Sequence, residues 1–216
     1  MLKPTPAQAP IQSLRLGQLQ VKKVYFITHP NVAIDPEVPV PRWPLSERGF
    51  ERMRAFLQQP FVQGITSVYC SNEQKAIDGA EVIANHLSLE IQTIEELGEN
   101  DRSSTGYLPS DEFETVADQF FAHPDQSVRG WETANAAQQR ISKAIDGVLS
   151  QDSGDGDIAI ISHGGVGSLL LCQIKGYPID RKHDQPGGGG GNYFCFSATN
   201  KQTLHSWKPI EPGESG

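Results

Sequence analysis

The chain is short of positive charge, of cysteine and of long apolar runs, and each shortage removes a class of function. Its 18 Lys and Arg stand against 26 Asp and Glu, a formal net charge of -8 over 216 residues. A protein that grips nucleic acid or an anionic membrane through many phosphates needs the opposite surplus. Neither partner is expected, although one local basic pocket is allowed. The three cysteines, Cys70, Cys172 and Cys195, are odd in number, lack metal-ligand spacing and lie in apolar runs, so they read as reduced core residues. No stretch approaches the roughly 20 apolar residues of a membrane span. Residues 1–20 show no apolar stretch behind a basic start, and a cytoplasmic location is expected. The first strand is followed by neither G-x-G-x-x-G nor a Lys-bearing phosphate loop, which argues against a nucleotide-binding domain. There is no internal repeat.

What is present reads as one α/β domain. Residues 1–20 are rich in Pro and Gln and too poor in large apolar side chains to offset their ordering entropy, so they read as a flexible arm. A single domain is expected over 21–210 and a flexible tail over 211–216. Apolar runs at 21–27, 65–70, 89–94 and 158–161 predict strands. Between them, stripes at helical spacing predict helices: Phe50, Met53, Phe56 and Leu57 behind the N-cap candidate Ser46; Ala76, Ala80, Ile83, Ala84 and Leu87; Phe113, Val116, Ala117, Phe120 and Phe121; Ala137, Ile141, Ala144, Ile145 and Val148. A further helix is expected over 166–175, and strands over 193–197 and 203–207. Strands alternating with helices imply a three-layer α/β/α sandwich whose mainly parallel sheet admits an antiparallel edge strand. Ligands in such folds sit at the carboxyl ends of the strands.

Two of the apolar strands end alike, in Phe26-Ile27-Thr28-His29 and Ile160-Ile161-Ser162-His163. Each places a histidine at a carboxyl end, so both can converge on one crevice. After His163 the small residues Gly164-Gly165-Val166-Gly167-Ser168 let main-chain amides approach an anion at a helix N-terminus. Ser162-His163-Gly164-Gly165 after a buried strand, with an early strand ending in His, resembles the histidine phosphatase superfamily, also called phosphoglycerate-mutase-like. Three more segments carry the resemblance in the same order. Pro44-Leu45-Ser46-Glu47-Arg48-Gly49 is similar to P-L-[ST]-x-x-G, the stretch from Ser71 through Ala80 is similar to S-P-L-x-R-A-x-Q-T-A, and Leu97-Gly98-Glu99 is similar to the L-x-E that bears the family's acid. The similarity runs from about residue 22 to 207.

The resemblance implies phosphoryl transfer without metal or organic cofactor. His29 would attack the phosphorus and become a phosphohistidine. His163 would donate to the phosphoryl oxygens, and Glu99 would protonate the leaving oxygen, with Glu96 and Asp101 as rivals in the same acidic run. The expected substrate is a small phosphate monoester, and hydrolysis is favoured over a mutase reaction because no long lid is evident. Two departures matter. Thr28-His29-Pro30 stands where the family has R-H-G, and Lys75 replaces the family's second Arg, keeping charge but losing the bidentate fork. Losing one preorganised donor costs roughly 3 to 4 kcal/mol of transition-state stabilisation. Arg102 and Arg42 are the candidates to replace it, Asn31 and Gly164 are candidate neutral donors, and the run Gly187 to Gly191 before Asn192 can bring backbone close to substrate. Without such replacement the alternative is a weakly active sensor or scaffold that binds a phosphorylated ligand. His86, His123, His183 and His205 lack metal spacing and read as surface or structural residues.

Overall fold

The computed structural model describes residues 21–213. The arm expected over 1–20 and the last three residues of the expected tail lie outside the described residues. Six strands form one sheet: β1 (Lys23–Thr28), β2 (Ile65–Cys70), β3 (Ile91–Thr93), β4 (Asp157–Ser162), β5 (Asn192–Ser197) and β6 (Thr203–Pro209). Their spatial order is β3-β2-β4-β1-β5-β6. β1, β2, β3 and β4 pair in parallel, while β5 runs antiparallel to β1 and β6 antiparallel to β5. The single reversed strand, β5, is therefore one place in from the edge, and β6 forms the edge itself.

Alternation along each strand sends side chains to two cores. Val24, Phe26, Ile158, Ile160, Phe194 and Phe196 pack on one face under α3 (Ser110–Ala122), α4 (Ala134–Gln151) and α5 (Gly164–Lys175). Tyr25, Ile27, Ala159, Ile161, Tyr193 and Cys195 pack on the other under α1 (Glu47–Phe56) and α2 (Gln74–Leu87). Because both faces are covered, β1 and β4 are nearly continuous apolar runs, as parallel central strands require. All three cysteines are free and buried.

The same topology locates the crevice. β1 and β4 are neighbours, with Thr28 opposite Ser162. The chain leaving β1 goes to α1 on one face, and the chain leaving β4 goes directly to α5 on the other. Strands whose continuations part to opposite faces leave an opening beyond their carboxyl ends, which is where His29 and His163 stand. Past β6, Ile210 is fully buried and Glu211 pairs with Arg52, so the expected tail starts with an anchored residue.

Candidate active site

His29 and His163 meet as the strand pattern predicts, with ring centroids 5.1 Å apart in an edge-on arrangement. The His29 amide continues the β1–β4 ladder by donating to the Ser162 carbonyl at 3.0 Å. Its ring Nδ1 lies 2.9 Å from the Pro30 carbonyl oxygen. A carbonyl can only accept, so the ring proton sits on Nδ1 and the Nε2 lone pair is left for a ligand. Burial, reinforced by the Lys75 charge, pulls the His29 pKa down to about 4, so the ring is neutral near pH 7. Burial likewise lowers His163 to about 4, against an opposing pull from Glu73.

His163 is wholly buried, with Nε2 2.7 Å from Ser71 Oγ and 3.3 Å from Glu73 Oε1. Its Nδ1 is buried with no hydrogen-bond partner among the described residues. Glu73 is a hub that sequence reasoning missed. It pairs with Lys75, accepts the Glu99 amide at 2.9 Å and flanks His163. Burial opposes its charge, but His163 and Lys75 outweigh burial and hold the carboxyl well below its ordinary value.

The histidine crevice opens into a cavity of about 600 Å³. His29, Asn31, Glu99, Arg102 and Gly164 all line it, as does the glycine run from Gly187 to Gly190. Arg102 stacks over Phe113 and Trp131, 5.1 and 5.6 Å from the ring centroids, and makes no ion pair among the described residues. Arg181 also borders the cavity but is paired with Glu114 and Asp118. Phe113, Phe120, Phe121 and Trp131 give the cavity that His29 lines an apolar wall.

Three expectations about the phosphate donors need correction. Arg42 is exposed on a short 3-10 turn (Val40–Arg42) and does not border the cavity, because that turn carries its side chain outward. Lys75 is buried beneath the site rather than in its wall, drawn to Glu73 and to the Val40 carbonyl at 2.9 Å. The amides at the start of α5 are already used: Glu99 accepts Gly165 N and Val166 N, each at 3.0 Å, besides Asn100 N. The helix N-terminus thus holds an internal carboxylate; Gly164 and Gly165 both line the cavity, and of the two only the Gly165 amide is bound to Glu99.

Thr28, where the family pattern has Arg, is fully buried. Its hydroxyl donates to Gln185 Oε1 at 2.7 Å and accepts Asn192 N at 3.0 Å, tying β1 to the loop before β5. Arg52 stitches that loop down, donating to Asn31 Oδ1 at 3.0 Å and to the carbonyls of Gly190 and Gly191. Gly190 has φ +67°, and a Cβ there would overlap the His29 carbonyl oxygen. The run is glycine because backbone passes against the strand end that carries His29. Arg140 fixes the loop carrying Glu99 through the carbonyls of Glu96, Gly98 and Glu99. Asp184 lines the cavity with its pKa raised by burial, partly offset by the Ser168 hydroxyl. Among the described residues no cluster of three or more His, Cys, Asp or Glu is placed to hold a metal, and no helix is long and apolar enough to cross a membrane.

The Ser71 and Glu73 signal was available in part. Ser71 directly follows the end of β2, the other neighbour of β4, with Glu73 two residues further on, and residues just past a parallel strand face the same crevice. The carboxylate at 73 nonetheless reads in sequence as an ordinary surface residue at a helix start.

Comparison with known proteins agrees with the fold. The model of the histidine phosphatase superfamily (branch 1) matches residues 39–194, a span that begins beyond His29. No curated protein matches by sequence. Among solved structures, a mycobacterial glucosyl-3-phosphoglycerate phosphatase with inorganic phosphate aligns at TM-score 0.72 and 14% identity, over 89% of this chain and 100% of its own. Bacillus stearothermophilus YhfR aligns at 0.67 and 20%, over 86% and 95%. A putative α-ribazole-5'-P phosphatase from Escherichia coli aligns at 0.66 and 20%, over 89% and 98%.

Proposed function

The chain belongs to the histidine phosphatase superfamily, and from that premise we propose that it is a phosphatase of small phosphate monoesters working through a phosphohistidine on His29. The observation that carries the reading is the neutral His29 ring, whose Nδ1 is held by Pro30 so that Nε2 is left as a nucleophile beside His163. Nε2 forms a bond to phosphorus as the bond to the leaving oxygen breaks, and Glu99 gives that oxygen a proton. Water then attacks the phosphohistidine, its proton goes to Glu99, and inorganic phosphate departs. Arg102 supplies the cationic donor that Thr28 and Lys75 do not. The organic part of the substrate lies against the wall of Phe113, Phe120, Phe121 and Trp131.

A second reading, a phospho-ligand sensor with little turnover, has its own support. Lys75 is engaged by Glu73, and Thr28 is locked in internal hydrogen bonds, which leaves Arg102 to carry the clamp. Rapid-quench trapping with a panel of phosphate monoesters, read by mass spectrometry, separates the two. Phosphate on His29 that turns over to free phosphate, and disappears in His29→Ala, supports the phosphatase. Transfer to a second acceptor instead indicates a mutase. Binding of esters with neither adduct nor turnover supports the sensor.

A further inference from the structure

Position 73 is where the resembling S-P-L-x-R-A element carries Leu, and here a buried carboxylate reaches the back of the second histidine. Nε2 of His163 has two neighbours, Ser71 Oγ at 2.7 Å and Glu73 Oε1 at 3.3 Å. Serine can give or accept a hydrogen bond, so it leaves the tautomer open. An ionised carboxylate can only accept. A bare Nε2 lone pair beside it would be repelled, so the ring proton belongs on Nε2, shared between Ser71 and Glu73. The other nitrogen, Nδ1, is then a bare acceptor, and it is the buried atom without a partner. Phosphoryl oxygens of a dianion are acceptors too, and two acceptors do not bond without a proton between them.

We infer that Glu73 is a positioning residue that fixes His163 as the Nε2–H tautomer and makes Nδ1 the atom that receives a proton when a phosphoryl group binds. The ligand is thus a phosphoryl group that carries, or shares with Nδ1, one proton more than the dianion. The charges around His163 agree with this. It faces neutral His29 from β1, the Glu73 carboxylate and Lys75 from the start of α2, and the Glu99 carboxylate from the loop that caps α5. The Glu73 carboxylate, the nearer of the two acids, favours an imidazolium once the phosphoryl oxygens supply the missing contact. The choice of ligand rests on the phosphatase reading above; the tautomer does not.

Two measurements on the full chain test it. Nitrogen-15 NMR of His163 near pH 7 is expected to show Nε2–H in the wild type and a shift toward Nδ1–H in Glu73→Gln, which removes the carboxylate charge beside Nε2. Titration calorimetry with methylphosphonate, whose dianion carries no hydroxyl hydrogen, is run above its second ionisation in two buffers of different ionisation enthalpy. Uptake of about one proton per methylphosphonate is expected in the wild type and close to none in Glu73→Gln. An Nδ1–H tautomer in the wild type, or equal proton uptake in both proteins, overturns the inference. If Glu73→Gln does not fold, the wild-type tautomer and proton count decide alone. Absence of methylphosphonate binding counts against the phosphatase reading and removes the proton linkage, while the NMR result still decides the role of Glu73.

Discussion

Acidification offers a test of the histidine pair that needs no substrate. His29 and His163 are both held near pKa 4 by burial, whereas an exposed histidine in the unfolded chain titrates near 6.5. Between these values the unfolded chain binds protons that the folded chain refuses, so stability falls as pH falls. From pH 7 to 5 the loss is about 2 kcal/mol for each histidine. Glu73 has a lowered carboxyl pKa and loses its contribution only below the ordinary carboxylate range, outside this window. Asp184, raised by burial, works in the opposite direction, and His205, lowered by burial, works in the same one. The informative comparison is therefore between proteins at the same two pH values. In urea unfolding, His163→Gln should lose about 2 kcal/mol less than the wild type on going from pH 7 to 5. An equal loss in both proteins would refute the claim that His163 is kept neutral by its burial.

Arg102→Gln should lower kcat/KM for phosphate monoesters by roughly a hundredfold to a thousandfold, the usual effect of removing one preorganised donor. Arg42→Gln should change it little, and equal effects would contradict the placement of the two side chains. Gly190→Ala combines a positive φ with overlap on the His29 carbonyl. Steady-state kinetics should show a kcat loss of at least tenfold, accompanied by destabilisation of about 1 kcal/mol or more in thermal unfolding. A fully active Gly190→Ala would mean that the glycine run does not set the position of His29.

Much of the architecture was legible because it rests on local repetition. Continuous apolar runs require strands covered on both faces, and each helical stripe found its core. Even the meeting of His29 and His163 followed from two similar strand ends in a parallel sheet. The boundaries shifted by a few residues, as at β1, observed over Lys23–Thr28. The partners of individual charges were not legible. Arg42 and Arg102 looked equivalent in sequence, yet one projects from an exposed turn and the other lies across two aromatic rings at the cavity. Lys75 looked like a phosphate ligand until Glu73, two residues earlier, proved to hold it.

The order and type of the elements, the covered sheet and the two histidines at its carboxyl edge were determined by the sequence alone, since apolar periodicity and strand direction are properties of neighbours along the chain. Which carboxylate caps α5, which cation reaches the cavity and which nitrogen of His163 is left without a partner were decided only by the tertiary structure. Those outcomes depend on distances of about 3 Å between residues far apart in sequence, and at that range a change of side-chain direction exchanges one partner for another.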